Sequence, residues 1–502
     1  MALRACLSVV AAALLALLTF DVGVAQAPAP RPQATEEADA HAERQRLPAD
    51  VTTKLSLTLN GAAVSVSATA GSLRLSDESG APQADVAYMA YALDGADAAK
   101  RPVVFAVNGG PGASSAWLQL GAMGPWRLPM GGLSPSSTPA LVDNAETWLD
   151  FADLVFLDPP GTGYSRVLGG ENARKRLWSV EGDVDALSAA IRKWLVANGR
   201  LASPKFIVGE SYGGFRAPRI AKRLASDEGV GVEGLVLVSP ALEIGGFAGA
   251  RGGPFPLLTR LPAYAAAERE KKGPVTRADL ADVEAYATGE FLQDWLKGPR
   301  DKDAVDSLVK RVVALTGLDE ATVKRLSGRV DAEAYQREAQ RAEGKVVADY
   351  DATISAYDAF PEGGFGRSLD PILPGYEAAF TSAMVSLYRE KFGWKIDDRY
   401  EVLNGAVNHA WDWGEGRSAP SSLGDLRQML ALDPKFRVLI VHGLTDLTTP
   451  YLATSLELAQ FPDFGGSDRV TLKVYGGGHM LYSRDESRRA LHDDAKRLIG
   501  GS

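Results

Sequence analysis

Phe206-Ile207-Val208-Gly209-Glu210-Ser211-Tyr212-Gly213-Gly214 runs from three apolar residues into a serine flanked by glycines, and residues 216–224 then read as helix. A strand that turns sharply into a helix, with serine at the apex and glycines where a Cβ would clash, is a nucleophile elbow. The turn lifts the hydroxyl out of the sheet edge, where an acyl carbon can reach it. The G-x-S-x-G spacing alone is common in glycine-rich chains. Its place after a strand and before a helix gives it weight.

Working outward, short and nearly continuous apolar runs recur at residues 103–107, 154–157, 206–208, 235–238 and 438–441. Runs without alternation suit strands buried on both faces, as in a parallel sheet covered by helices. Apolar residues recur at helical spacing over 184–196, between two such runs, so strand–helix–strand predicts an α/β fold. Residues 51–93 alternate with period two (Leu55, Leu57, Leu59, Val64, Val66, Leu73, Leu75) and predict antiparallel hairpins at a sheet edge. From 243 to 429 the rhythm stops. That stretch is charged and mostly helical, with Thr276 and Asp279 as a capping box opening a helix to residue 296. It reads as a large, mainly helical cap insertion, leaving 51–242 and 430–502 as the catalytic domain.

The chain has 502 residues, 46% hydrophobic and 23% charged, with a net charge of -9. That is long enough for one large domain with an insertion. It also lacks the basic blocks of a nucleic-acid footprint. Residues 1–25 read as a secretory signal: Arg4 precedes the 14-residue segment 7–20, and Gly23-Val24-Ala25 offers small residues for cleavage after Ala25. Residues 26–50, rich in Ala, Pro, Glu and Arg, read as a flexible leader. An exported protein, periplasmic or extracellular, follows, with no stable membrane insertion after signal removal. The only cysteine, Cys6, lies in the signal, so the mature chain has no disulfide and no cysteine-based metal site. No metal cluster, phosphate-cradling loop or other cofactor is expected.

A serine nucleophile needs a base, and the base needs an orienting acceptor. Five histidines are available. His41 lies in the leader, His409 in the cap, His442 at a strand end and His492 in a charged C-terminal helix. His479 follows an alternating strand and Gly476-Gly477-Gly478, where a backbone without side chains can approach closely and aim the ring across the sheet edge. With the chain order Ser, acid, His of α/β-hydrolases, His479 is the expected base. Asp446, on the loop after 438–441, is the expected acceptor. Developing negative charge also needs N–H donors. One is Tyr212, after the nucleophile; the other is Gly110, in Asn108-Gly109-Gly110-Pro111-Gly112 just past the strand 103–107.

Those stretches, with Phe156-Leu157-Asp158-Pro159-Pro160-Gly161-Thr162-Gly163-Tyr164-Ser165 and Gly477-Gly478-His479-Met480, resemble the serine carboxypeptidase family, which has the α/β-hydrolase fold. The resemblance implies Ser211, Asp446 and His479 as the triad and Gly110 and Tyr212 as oxyanion donors. It also assigns Asn108 and Glu210 to the free C-terminal carboxylate of a peptide substrate. Gripping one carboxylate with another requires a shared proton, so peptide hydrolysis is expected to be favoured at acidic pH. The chain departs from the family pattern at Ala106 (usually Trp), Ala113 (Cys), Ala122 (an acidic residue) and Leu444 (Asp). Ala106 and Ala122 thin the carboxylate-binding network.

The leading expectation is therefore a serine carboxypeptidase. The alternatives are an esterase or acyltransferase on the same triad, or a non-catalytic binding protein of this fold. Substrate pockets are expected to be shaped by the cap and by residues such as Trp117 and Tyr164, with Trp117 more readily a packing residue.

Overall fold

Full burial of both faces explains the continuous apolar runs. In a computed structural model, residues 46–500 are described except 133, 139, 246–252, 363–369, 415–418, 465 and 467. The runs form strands of one ten-stranded sheet. In chain order the principal strands are β1 (Val51–Leu59), β2 (Ala62–Ser76), β3 (Pro82–Leu93), β4 (Val103–Val107), β5 (Asp153–Leu157), β6 (Lys205–Glu210), β7 (Gly234–Val238), β8 (Arg437–Gly443) and β9 (Val470–Tyr475). They lie side by side as β1-β2-β3-β5-β4-β6-β7-β8-β9, and the short strand Arg166–Val167 pairs with β3. From β5 to β9 every pairing is parallel. The edge β1–β2–β3 is antiparallel and joins β5 antiparallel, where the period-two pattern placed it.

Successive residues of β4 serve different cores. Val104 and Ala106 pack on one face with Leu491, Ala495 and Ile499 of the C-terminal helix, Asp485–Ile499. Val103, Phe105 and Val107 pack on the other with α1 (Val180–Ala197) and α2 (Tyr212–Ser226). This is an α/β-hydrolase fold: a mostly parallel sheet flanked by helices. The carboxyl ends of the parallel strands β4 to β9 open at one edge, where such sheets place their ligands.

Between β7 and β8 the chain is mainly helical. The capping box at Thr276 forms as expected, with Asp279 accepting from the Thr276 amide at 2.9 Å and its hydroxyl at 2.7 Å. The first half of this segment builds its own core, in which Leu258, Tyr264 and Leu308 meet Leu444, Leu447 and Tyr451 from beyond β8. The second half does not stand apart. Phe380, Trp394 and Tyr400 belong to the same packed cluster as Tyr91, Trp117 and Phe156.

The expected signal, residues 1–25, and most of the leader lie outside the described residues. The end of the leader is packed against the domain. Leu47 is buried, the Ala49 carbonyl accepts from the Trp394 indole at 3.0 Å, and Asp50 accepts from the Tyr88 hydroxyl at 2.6 Å. Among the described residues no helix is long and apolar enough to cross a membrane.

Candidate active site

Ser211 sits where β6 gives way to α2, with φ 59° and ψ -122°, a backbone conformation that L-residues rarely adopt. Four hydrogen bonds hold it there. Its amide donates to Val238 O at 2.9 Å, and its carbonyl accepts from the amides of Gly214 (2.9 Å), Ala241 (3.2 Å) and Phe215 (3.3 Å). The flanking glycines are required by close backbone approach. A Cβ at Gly209 would lie 2.1 Å from Gly213 O, and one at Gly213 would lie 2.3 Å from Val107 O. Behind the elbow, the Tyr212 ring covers the buried Arg216 guanidinium at 4.8 Å, and Arg216 pairs with buried Asp183 at 3.0 Å.

The glycine loop after β4 lies directly against this elbow. A Cβ at Gly109 would come within 2.5 Å of the Tyr212 nitrogen and 2.7 Å of Glu210 O, so only glycine fits. Gly110 has φ +97°, also glycine-favoured, and is exposed. The expected oxyanion donors, Gly110 and Tyr212, are thus on two segments in direct contact.

Asp446 and His479 meet on the loops following β8 and β9. Nδ1 of His479 lies 2.8 Å from Asp446 Oδ2, with both side chains buried. Asp446 is further held by the amides of Thr448 (2.8 Å) and Thr449 (2.9 Å) on Oδ1 and by the Thr449 hydroxyl on Oδ2 (2.7 Å). Burial alone would raise its pKa; the His479 charge and these hydrogen bonds outweigh it and keep the carboxylate below its ordinary range. Burial pulls His479 down, but the charge and hydrogen bond of Asp446, with smaller contributions from Glu210 and Asp349, raise it overall. Its Nε2 is buried and has no hydrogen-bond partner among the described residues. The same turn anchors both the serine and the histidine: Val238 binds Ser211, and the neighbouring Ser239 hydroxyl donates to His479 O at 2.8 Å.

The helical segment also packs against His479. The His479 amide donates to Tyr350 O at 2.6 Å, and the Tyr350 ring meets the imidazole edge-on at 4.7 Å. A Cβ at Gly478 would lie 2.0 Å from Tyr350 O, which is why glycine precedes the histidine. Asp349, next to Tyr350, has its pKa raised by burial and by the neighbouring Asp370 carboxyl.

Asn108 and Glu210 form a buried pair, Asn108 Nδ2 donating to Glu210 Oε2 at 2.8 Å. Asn108 Oδ1 is taken by the Leu118 amide at 3.0 Å, which fixes the orientation of the amide group. Burial pushes the Glu210 carboxyl up to about 7 against the opposing effects of His479, Tyr482 and Asn108. Tyr482 was not singled out by any motif, yet its hydroxyl bonds both oxygens of Glu210 at 3.0 and 2.9 Å. Thr449 and Tyr350 were likewise missed. Thr449 falls three residues after Asp446, the one local signal that could have found it.

The remaining expected residues divide plainly. His442 is a buried structural histidine between Thr449 O (3.0 Å) and Thr454 Oγ1 (3.1 Å), pushed down to about 4 by burial. His409 is exposed on its own helix and bonds Gly405 O, and His492 lies between Asp150 and Asp493. His41 lies outside the described residues. Trp117 and Tyr164 are both buried in aromatic clusters. Trp117 packs on Phe380 at 4.4 Å, and Tyr164 sits edge-on between Tyr388 and Tyr400 at 5.0 Å each, in a core made by the second half of the helical segment. The Asp158–Ser165 stretch is an anchor: Asp158 accepts from the Ser115 amide at 2.9 Å and the Tyr400 hydroxyl at 3.1 Å.

Residues 75–237 match the serine carboxypeptidase family model, so the resemblance read from the motifs holds over that stretch. It contains Asn108, Gly110, Glu210, Ser211 and Tyr212 but neither Asp446 nor His479. The chain is similar to serine carboxypeptidase-like 9 of Arabidopsis thaliana, 28% identical over 151 residues, 28% of this chain and 33% of that protein. It is also similar to the pheromone-processing carboxypeptidase KEX1 of Podospora anserina, 36% identical over 127 residues, 25% of this chain and 20% of that protein. The chain therefore spans a third or less of these relatives. Among solved structures it is similar to proline iminopeptidase of Mycobacterium smegmatis (16% identity, TM-score 0.37, 86% of this chain and 98% of that one). Esterase E22 is comparable (15%, TM-score 0.38, 86% and 100%).

Proposed function

We propose that the chain is an exported serine carboxypeptidase acting through an acyl-enzyme at Ser211. The Ser211 hydroxyl attacks the last peptide carbonyl while Nε2 of His479 takes its proton. Asp446 stabilises the imidazolium that forms, and the amides of Gly110 and Tyr212 hold the oxyanion. Collapse breaks the C–N bond as His479 returns the proton to the departing amine, releasing the C-terminal residue. Water then hydrolyses the ester by the same relay. Asn108 and Glu210 hold the substrate's terminal carboxylate, with one proton shared between Glu210 and that carboxylate. Residues 243–429 act as the cap over this site.

The observation that carries the reading is the buried Asn108–Glu210 pair, placed by the strand ends directly beside the elbow. A buried carboxyl with a raised pKa and a neutral amide donor suits an anionic group better than a neutral ester. The test compares a blocked dipeptide with its C-terminal amide. A carboxypeptidase strongly favours the free acid; equal turnover would reject it. Fluorophosphonate labelling at Ser211 checks the nucleophile, and N-terminal sequencing of the exported protein checks cleavage after Ala25.

A second reading, an esterase or acyltransferase on the same triad, draws on Ala106 and Ala122. Both are buried and bring no polar side chain to the carboxylate site. Indifference between acid, amide and ester would favour it.

A further inference from the structure

Tyr482 lies three residues after His479, in the short helical turn Leu481–Ser483. Its ring is fully buried and covers Gly121, where a Cβ would lie 2.4 Å from ring carbon Cε2. Ala122, beside that glycine, supplies no acid to Glu210. The Tyr482 hydroxyl instead reaches both Glu210 oxygens, while Asn108 holds only Oε2. The loop that carries the base therefore also carries a proton donor for the carboxylate site.

We infer that Tyr482 is a positioning residue that orients Glu210 and sets the pH above which the enzyme ceases to grip C-terminal carboxylates. The inference rests on the reading of Glu210 given above. A second carboxyl in this place would share a proton with Glu210 and keep it protonated to higher pH. A phenol does the opposite. It donates a hydrogen bond that favours the ionised carboxylate, and its own ionisation lies far above neutrality because it is buried against Glu210. The other groups facing Glu210 come from three loops. The His479 imidazole opposes burial, the Asp446 carboxylate adds to it, and the buried Tyr350 phenol stays neutral. The form competent for free-acid peptides has Glu210 protonated and His479 neutral. Every hydrogen bond to ionised Glu210 drains that form.

The test is Tyr482→Phe, which keeps the ring over Gly121. The kcat/KM–pH profile is measured for a blocked dipeptide and for its methyl ester, in the wild type and in Glu210→Gln. The wild-type dipeptide profile is expected to fall on the alkaline side. Tyr482→Phe is expected to move that limb upward by about one to two pH units, the size of one hydrogen bond to an ionised group. The ester profile, with no carboxylate to grip, is expected to keep its shape, which also certifies a folded active site. If Glu210→Gln abolishes the limb but Tyr482→Phe leaves it where it was, the assignment of Tyr482 is overturned and the carboxylate site stands. If the wild type has no alkaline limb specific to the free acid, the reading of Glu210 fails and takes this inference with it.

Discussion

The Thr449 hydroxyl lies 2.7 Å from Asp446 Oδ2 and 3.0 Å from His479 Nδ1, so one side chain touches both the acid and the expected base. Together with the amides of Thr448 and Thr449 on Oδ1, it leaves the Asp446 carboxylate no freedom to rotate. Thr449→Val removes the hydroxyl at nearly constant volume. Catalysis is expected to fall by about 10- to 100-fold, the worth of one hydrogen bond to a charged group. Asp446, less stabilised by hydrogen bonding, then attracts the imidazolium proton more strongly. The acid limb of ester hydrolysis should therefore move to higher pH, which a steady-state pH profile measures directly.

Asp446→Asn is the harsher change. The amide cannot accept and stabilise the Nδ1 proton as a carboxylate does, and it favours the wrong tautomer. A loss of about 10^4-fold in kcat is expected with little change in KM. A loss below about 10-fold in single-turnover kinetics would remove Asp446 from the relay.

The sign of the pH dependence differs between substrates. Acylation needs neutral His479, whose pKa is raised above its ordinary value, so ester turnover should climb as pH rises through that pKa and then stay level. Peptide acids need Glu210 protonated as well, and its pKa is about 7. Their kcat/KM should drop about 10-fold per pH unit above that value. In Glu210→Gln the carboxamide cannot ionise, so this alkaline drop should vanish while the maximum falls. Parallel acid and ester profiles in the wild type would refute the assignment.

Gly109→Ala tests the contact between the glycine loop and the elbow. Its Cβ would lie 2.5 Å from the Tyr212 nitrogen, and backbone cannot yield as a side chain can. Displacing either oxyanion donor is expected to cost about 10^2- to 10^3-fold in kcat. Rate measurements beside thermal melting separate this from simple destabilisation, because a folded protein with undiminished kcat would contradict it.

The local parts of the site were legible because their causes are local. A strand running into a helix through Gly209-Glu210-Ser211-Tyr212-Gly213 needs glycines wherever backbone meets backbone, and those residues can be read in a line. The parallel strands were legible for a similar reason, since burial on both faces leaves continuous apolar runs. Where residues 372–403 of the expected cap pack was not legible: Phe380, Trp394 and Tyr400 share a core with Tyr91, Trp117 and Phe156. Apolar spacing reveals that a helix has a buried face without saying which core receives it.

Sequence alone determined the α/β order of elements, the serine on its turn, the glycine loop, and the placing of Asp446 and His479 just past two strands. Tertiary structure alone decided that Asp446 and His479 share a hydrogen bond, that Tyr350 braces His479, and that Tyr482 answers Glu210 across 272 positions of chain. The reason is physical. Backbone geometry over a few residues is set by neighbours in sequence, whereas the partner of a buried polar group is whatever the packed loops bring within about 3 Å of it.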